Sequence, residues 1–299
     1  MFSFFDDETK TISFAFKSLQ SWYEVFVSSS KKENTISYDE INTQINDVEI
    51  IINTTPKEMF PNNNQEIISL ENFNNLTSVI DVIFNPLRTN LILKAKEKNI
   101  KCCSGLYMLI AQAFFAIELF KDVKLDKTVI NELYYQMLNE KQNIVLIGMP
   151  SCGKSTIAKI LGKDLKRKIV DIDKLIEKQI NMKISDFFKT HSEEEFRKIE
   201  SDIIYEVSKK QNVIIATGGG AIINPLNVKY LKQNGIIFFI DRPLEKLIIS
   251  KSRPLSSTKE KLKQLYDTRY ELYLSSCDYK IDGNKSLNSV VNDIKGGIK

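Results

Sequence analysis

The nine residues GMPSCGKST, from Gly148 to Thr156, constrain the fold of this chain more than any other stretch. They follow the pattern G-x-x-x-x-G-K-[ST] and lie between the apolar run NIVLI and an amphipathic stretch, the strand–loop–helix setting in which such a loop wraps phosphate. Gly148 and Gly153 allow backbone N–H groups to close on phosphate oxygens, with Ser151 and Cys152 completing the loop. The helix starting near Lys154 aims its positive end at the same point. Lys154 is expected to reach the β and γ phosphates of ATP, Ser155 to hold Mg²⁺ through its hydroxyl, and Thr156 to support the phosphates from the first helical turn. The loop alone leaves GTPases, ATPases, nucleotide kinases and small-molecule kinases open.

A chain of 299 residues is long for one domain and comfortable for two. Hydrophobic residues make up 42% and charged residues 27%, a balance that suits packed cores and solubility. No apolar run reaches the ~18 residues that span a bilayer, and MFSFFDDETK lacks the basic end and apolar stretch of a signal peptide. The expectation is a cytoplasmic protein with no membrane partner. A net charge of +4 without a Lys/Arg block speaks against nucleic acid and suits phosphate-bearing small molecules. The four cysteines, Cys102, Cys103, Cys152 and Cys277, show no C-x-x-C spacing, and the single histidine, His191, has no neighbouring nucleophile to activate. Neither a zinc site nor a disulfide framework is expected.

Short β-branched runs alternate with longer amphipathic stretches, the pattern of an α/β protein with parallel strands. In the first half WYEVFV, VEIIINTT and SVIDVIFNP read as strands, and LRTNLILKAKEKN and LYMLIAQAFFAIELF as helices. Residues 123–141 read as a charged helical linker between a first domain, 1–122, and a second, 142–299. The second carries five strand candidates, NIVLIG, KIVDID, NVIIATGGG, GIIFFID and DYKID, with helical crossovers that make a five-stranded doubly wound parallel sheet.

Further residues narrow the chemistry. Strand periodicity puts Asp171 and Asp173 of KIVDID on one face, at the carboxyl end where parallel sheets meet their ligands, although an acid there serves equally well as a helix cap. EEEFRKIESDII sets Arg197 and Glu200 on one helix face, close enough to pair with each other. ATGGG ends a strand in Gly218, Gly219 and Gly220, a run that lets backbone approach a ligand. Arg253 lies in SRPLSS and Arg269 in LYDTRYELY; alone, each reads as a surface arginine.

Taken in this order with the phosphate loop, these residues resemble the shikimate kinase family, and the resemblance covers essentially the whole second half. It implies a P-loop kinase fold, ATP and Mg²⁺ as cofactors, and shikimate as substrate. It further implies that Asp173 binds the ring hydroxyls and orients the one that reacts, and that Asp171 helps place the metal through water. Arg197 and Arg269 would bind the substrate carboxylate, Gly219 would donate its N–H to the substrate, and Arg253, from a mobile lid, would close on the transferring phosphoryl group. A planar guanidinium fork suits a carboxylate, and two of them select an acidic substrate over a neutral polyol. The chain departs from the family pattern at Ser250, where an adenine-stacking arginine is common, and at Ser256, where leucine follows R-P-L. A kinase for another small hydroxylated acid or a nucleotide is the alternative, and a non-catalytic ATP-binding switch the third reading.

In the first half, IINTTPKEMFPN, VIDVIFNPLRTNLILKAKEKNI and CSGLYMLIAQAFFAIELF are similar to the carboxyl-terminal part of shikimate dehydrogenases, from about Thr11 to Phe120. That resemblance implies a partial Rossmann-like domain, with Gln112 at a substrate-contacting position and Asn53 to Pro56 at the strand-end loop near the cofactor. The acids of DDETK, which begins at Asp6, stand where a glycine-rich dinucleotide turn belongs, near Asp7 to Lys10, and would repel a pyrophosphate. Ser28, Ser29 and Ser30 stand where that family reads the 2′-phosphate of NADP. NADP binding and dehydrogenase activity are therefore not expected, and the half reads as an interaction module, with a separate shikimate dehydrogenase as a candidate partner, or as a passenger.

Overall fold

The computed structural model describes residues 2–5, 25–28, 48–61, 63, 66–248 and 258–298. Asp7 to Lys10, Ser29, Ser30, Ser250, Arg253 and Ser256 lie outside them. The chain divides into two compact units, Met1–Leu138 and Asn139–Lys299.

In the first unit five short strands form one parallel sheet: β1 (Phe2–Phe5), β2 (Val25–Ser28), β3 (Ile50–Asn53), β4 (Ser78–Asp81) and β5 (Lys101–Cys103). Their order is β2-β1-β3-β4-β5. Helix α1 (Asn90–Glu97) follows Thr89, whose side chain accepts from the Ile92 N–H while its hydroxyl donates to Asp81 Oδ2 at the end of β4. Glu58 Oε2 accepts from Leu91 N, so the chain's own side chains fill this helix start. Val79, Ile51, Leu91 and Ile92 form the core beneath. Helix α2 (Gly105–Lys121) is apolar on every side: Leu106 and Phe114 are buried, whereas Leu119 and Phe120 are 80% and 84% exposed. Gln112 is exposed on it.

The run read as a linker is mostly helix α3 (Thr128–Lys141), and the division between the units falls inside it. Ile130 packs with Leu106, Ile110 and Phe114, with Tyr134 and Met137 beside them.

The second unit holds β6 (Asn143–Ile147), β7 (Lys168–Asp171), β8 (Val213–Ala216), β9 (Gly235–Asp241) and β10 (Tyr279–Asp282). All pairs are parallel, in the order β10-β9-β6-β8-β7. Every residue of β6 and β8 is buried, which is why both read as unbroken apolar runs rather than alternating ones. The crossovers carry α4 (Lys154–Asp164), α5 (Ile172–Ile180), α6 (Ile184–Thr190), α7 (Glu193–Ser208), α8 (Pro225–Asn234), α9 (Lys259–Ser276) and α10 (Leu287–Gly296). Parallel strands point their carboxyl ends the same way, so the segments after β6, β7 and β8 meet along one edge. Among the described residues no helix is long and apolar enough to cross a membrane.

Candidate active site

The edge above β6, β7 and β8 opens into a cleft of about 740 Å³. Lining it are Lys154 and Ser155 from the phosphate loop, Asp171 and Asp173 after β7, Arg197 and Glu200 from α7, Gly218 to Gly220 after β8, and Arg269 from α9. Ser151, Gly153 and Thr156 of the loop line it too, whereas Gly148 and Cys152 do not.

The loop after β6 turns through left-handed backbone at Gly148 (φ 143°), Ser151 (φ 66°) and Gly153 (φ 102°). A side chain at Gly148 would also press to 2.8 Å from the Ile240 carbonyl oxygen of β9, so only glycine fits there. Ser151 tolerates its φ with a hydroxyl that donates to Ile248 O at 2.7 Å. Lys154 is only 8% exposed and folds back over the loop, donating to Gly148 O at 2.8 Å and Met149 O at 3.0 Å. Cys152 turns its thiol inward, 3.7 Å from the Lys154 ammonium, so what it offers a ligand is backbone.

The two acids after β7 stand differently from the expectation. The strand stops at Asp171 and α5 begins at Ile172, so Asp171 and Asp173 do not share a strand face. Asp171 is the N-cap of α5, accepting from Lys174 N at 3.3 Å, and its other oxygen accepts from Ser155 Oγ at 3.2 Å. Capping and facing the phosphate loop are one position here. Asp173 sits in the first helical turn, with Oδ1 only 2.6 Å from where a Cβ on Gly218 would lie. The local reason is helix propagation: an acid at the N-cap and another in the first turn both complement the helix start.

Across the cleft, Arg197 donates to Glu200 Oε2 at 2.6 Å and to Glu193 Oε1 at 2.8 Å. A reciprocal capping box, Ser192 with Glu195, starts α7 and fixes the turn that carries it. Glu200 is 1% exposed, and neither its Oε1 nor Arg197 Nε has a partner within the protein. Burial raises the Glu200 carboxyl above its usual range, opposed by Arg197 and reinforced by Asp173. Arg269 is nearly buried and donates to Gly219 O at 3.1 Å. Burial draws its guanidinium below its ordinary value, yet an arginine keeps its charge in any protein setting. Glu200 and Tyr273 extend the sequence-derived set; the i,i+3 and i,i+4 spacings from Arg197 and Arg269 were the signals for them.

The donor set suits Mg²⁺, a hard cation that keeps waters and takes oxygen ligands: the Ser155 hydroxyl and the Asp171 carboxylate already meet. Among the described residues no group of three His, Cys, Asp or Glu side chains stands together, so Ser155 and Asp171 would hold such a cation only with further oxygen ligands from outside the protein.

A parallel sheet with a phosphate loop after its central strand, facing two guanidinium groups and a carboxylate, defines a P-loop kinase for a small anionic substrate. The family model described as shikimate kinase matches residues 150–298. Shikimate kinase of Clostridium botulinum strain Eklund 17B is 42% identical over 159 residues, 52% of this chain and 96% of that protein. Shikimate kinase of Caldicellulosiruptor bescii is 38% identical over 148 residues, 47% of this chain and 86% of that protein. The solved shikimate kinase from Acinetobacter baumannii in complex with shikimate superposes with a TM-score of 0.51 at 30% identity, covering 55% of this chain and 96% of that one. The chain belongs to the shikimate kinase family, ATP-dependent phosphotransferases that use Mg²⁺. A shikimate dehydrogenase from Peptoclostridium difficile also aligns, at 28% identity over 46% of this chain and 52% of that one, with a TM-score of 0.39; a likeness of that degree assigns no role to the first unit.

Proposed function

We propose that the second unit moves the γ-phosphoryl group of ATP to the 3-hydroxyl of shikimate, releasing ADP and 3-phosphoshikimate, in the cytoplasm. The observation that carries this reading is the convergence of Arg197, Arg269 and Asp173 on the cleft that also holds the phosphate loop. Two forks grip one carboxylate and thereby present the far side of the ring to Asp173. Asp173 orients the attacking hydroxyl and takes its proton as the bond to phosphorus forms. The Lys154 ammonium exchanges the Gly148 and Met149 carbonyls for β and γ phosphate oxygens, joined by backbone N–H groups from Ser151 to Thr156. Ser155 and Asp171 would hold the Mg²⁺, which would supply positive charge to offset that of the phosphates. Arg253, outside the described residues, is assigned the same task by its sequence context. Gly218 to Gly220 form the wall against which the ring lies.

ADP release by the purified protein, assayed with shikimate, quinate, gluconate and nucleoside monophosphates, tests the reading; only shikimate should respond strongly. Lys154→Ala should lower turnover by about a hundredfold or more while leaving circular dichroism and the melting point intact. Full ADP release by that variant would defeat the assignment.

Residues 1–122 we assign to a dehydrogenase-like remnant and 142–299 to the kinase. For the remnant an interaction or stabilising role is favoured over a passenger by α2, which leaves Leu119 and Phe120 largely uncovered. Removing the residues before Asp126 separates the two: unchanged solubility and kinetics would make it a passenger.

A further inference from the structure

Tyr273 lies wholly buried in α9, a costly place for a phenol unless its hydroxyl is bonded. It donates to the carbonyl oxygen of Gly219, the same oxygen that receives Arg269 Nη1. A carbonyl oxygen offers two lone pairs, so these two donors saturate it. Across a trans peptide the following N–H points opposite to that carbonyl, so the pair of donors fixes the direction of the Gly220 N–H. On its other side the peptide meets the second arginine: a Cβ on Gly220 would collide with the Arg197 guanidinium. The Gly219–Gly220 peptide is therefore a spacer between the two guanidinium groups.

That spacer is tied to the sheet. The Tyr273 ring stacks on Phe239 of β9, centroids 5.0 Å apart and planes 15° apart, and Phe239 is itself fully buried. Tyr273 and Arg269 share one face of α9 through their i,i+4 spacing. Tyr273 does not itself line the cleft.

We propose that Tyr273 is a positioning residue that sets the separation of Arg197 and Arg269, and through it the recognition of the substrate carboxylate. The inference rests on the shikimate reading, because it requires both guanidinium groups to share one carboxylate. Removing the hydroxyl frees one side of the Gly219 carbonyl, lets the spacer tilt and loosens the grip on the anion.

The test compares the full chain with Tyr273→Phe, which keeps the ring stack, by calorimetric titration of shikimate and of methyl shikimate, whose ester carries no charge. Shikimate should bind about tenfold more weakly to the variant, the effect expected for one well-placed hydrogen bond, whereas the ester should lose much less. The KM for shikimate should rise while kcat and the KM for ATP stay close to those of the parent. Equal losses for acid and ester, or unchanged shikimate binding, would overturn the inference. Arg269→Ala run in parallel separates the two levels. If it abolishes the preference for the acid and Tyr273→Phe leaves that preference intact, the positioning role falls and the substrate reading stands; if neither variant alters it, both fall. Should Tyr273→Phe not fold, Tyr273→Met, which also lacks the hydroxyl, carries the same comparison.

Discussion

Glu200 shows how one buried side chain couples the site to pH. Its carboxyl is held above the ordinary range chiefly by burial, with Asp173 pushing the same way and Arg197 opposing. A carboxyl raised in the folded state contributes stability that is fully present below its unfolded value and is lost as pH rises through its folded value. Glu200 should therefore contribute a loss of melting temperature as pH rises above the unfolded carboxyl range, and Glu200→Gln, which cannot ionise, should remove that contribution from the profile. A variant whose melting curve tracks the parent at every pH would show that folding does not displace the Glu200 carboxyl from its unfolded value. Most residues of the site were legible because their spacing carries their chemistry. Lys154 and Ser155 follow from the phosphate loop, and Arg197 and Arg269 from their place in the family order. Glu200 was legible only as a partner for Arg197, because its burial depends on β8 and the glycine run, which are distant in sequence. Asp173 was rightly expected near Asp171 for a mistaken reason. Strand alternation was extended two residues past the point where the cap at Asp171 turns the chain into α5.

Caps and packing decide where the elements begin. Helix α7 carries both Arg197 and Glu200, and its first turn is closed by the Ser192–Glu195 box. Ser192→Ala should cost about 1 kcal/mol in urea denaturation. The KM for shikimate should rise only slightly, because Glu193 and Glu200 still brace Arg197; a stability unchanged within error would mean that the box is not formed in solution. Strands β2 to β4 and β6 to β10 were readable from β-branched and aromatic runs. Strand β5 was not, since KCC is three residues long with little of it buried. Strand β1 was missed because FSFF opens the chain directly before a run of acids and offers only four residues of pattern. Both are strands by virtue of their neighbours, through pairing with β3 and β4.

At the scale of the molecule, each unit encloses its own parallel sheet and its own apolar core, and damage to one should stay there. Gly105 offers a local probe, because a Cβ on it would fall on the Val82 carbonyl. Gly105→Ala should destabilise the first unit by about 1–3 kcal/mol, the usual cost of overpacking, and leave ADP release at 25 °C unchanged. Limited proteolysis with a kinase assay on the digest would check this; loss of activity in step with cleavage of the first unit would show that the two fold as one. The glycine run after β8 has a different consequence. A methyl group on Gly218 would meet Asp173, on Gly219 Pro150 and on Gly220 Arg197. An inhibitor resting on those three glycines would press on a surface that a side chain added at any one of them cannot reshape without displacing Asp173, Pro150 or Arg197, which narrows the route to drug resistance at that contact.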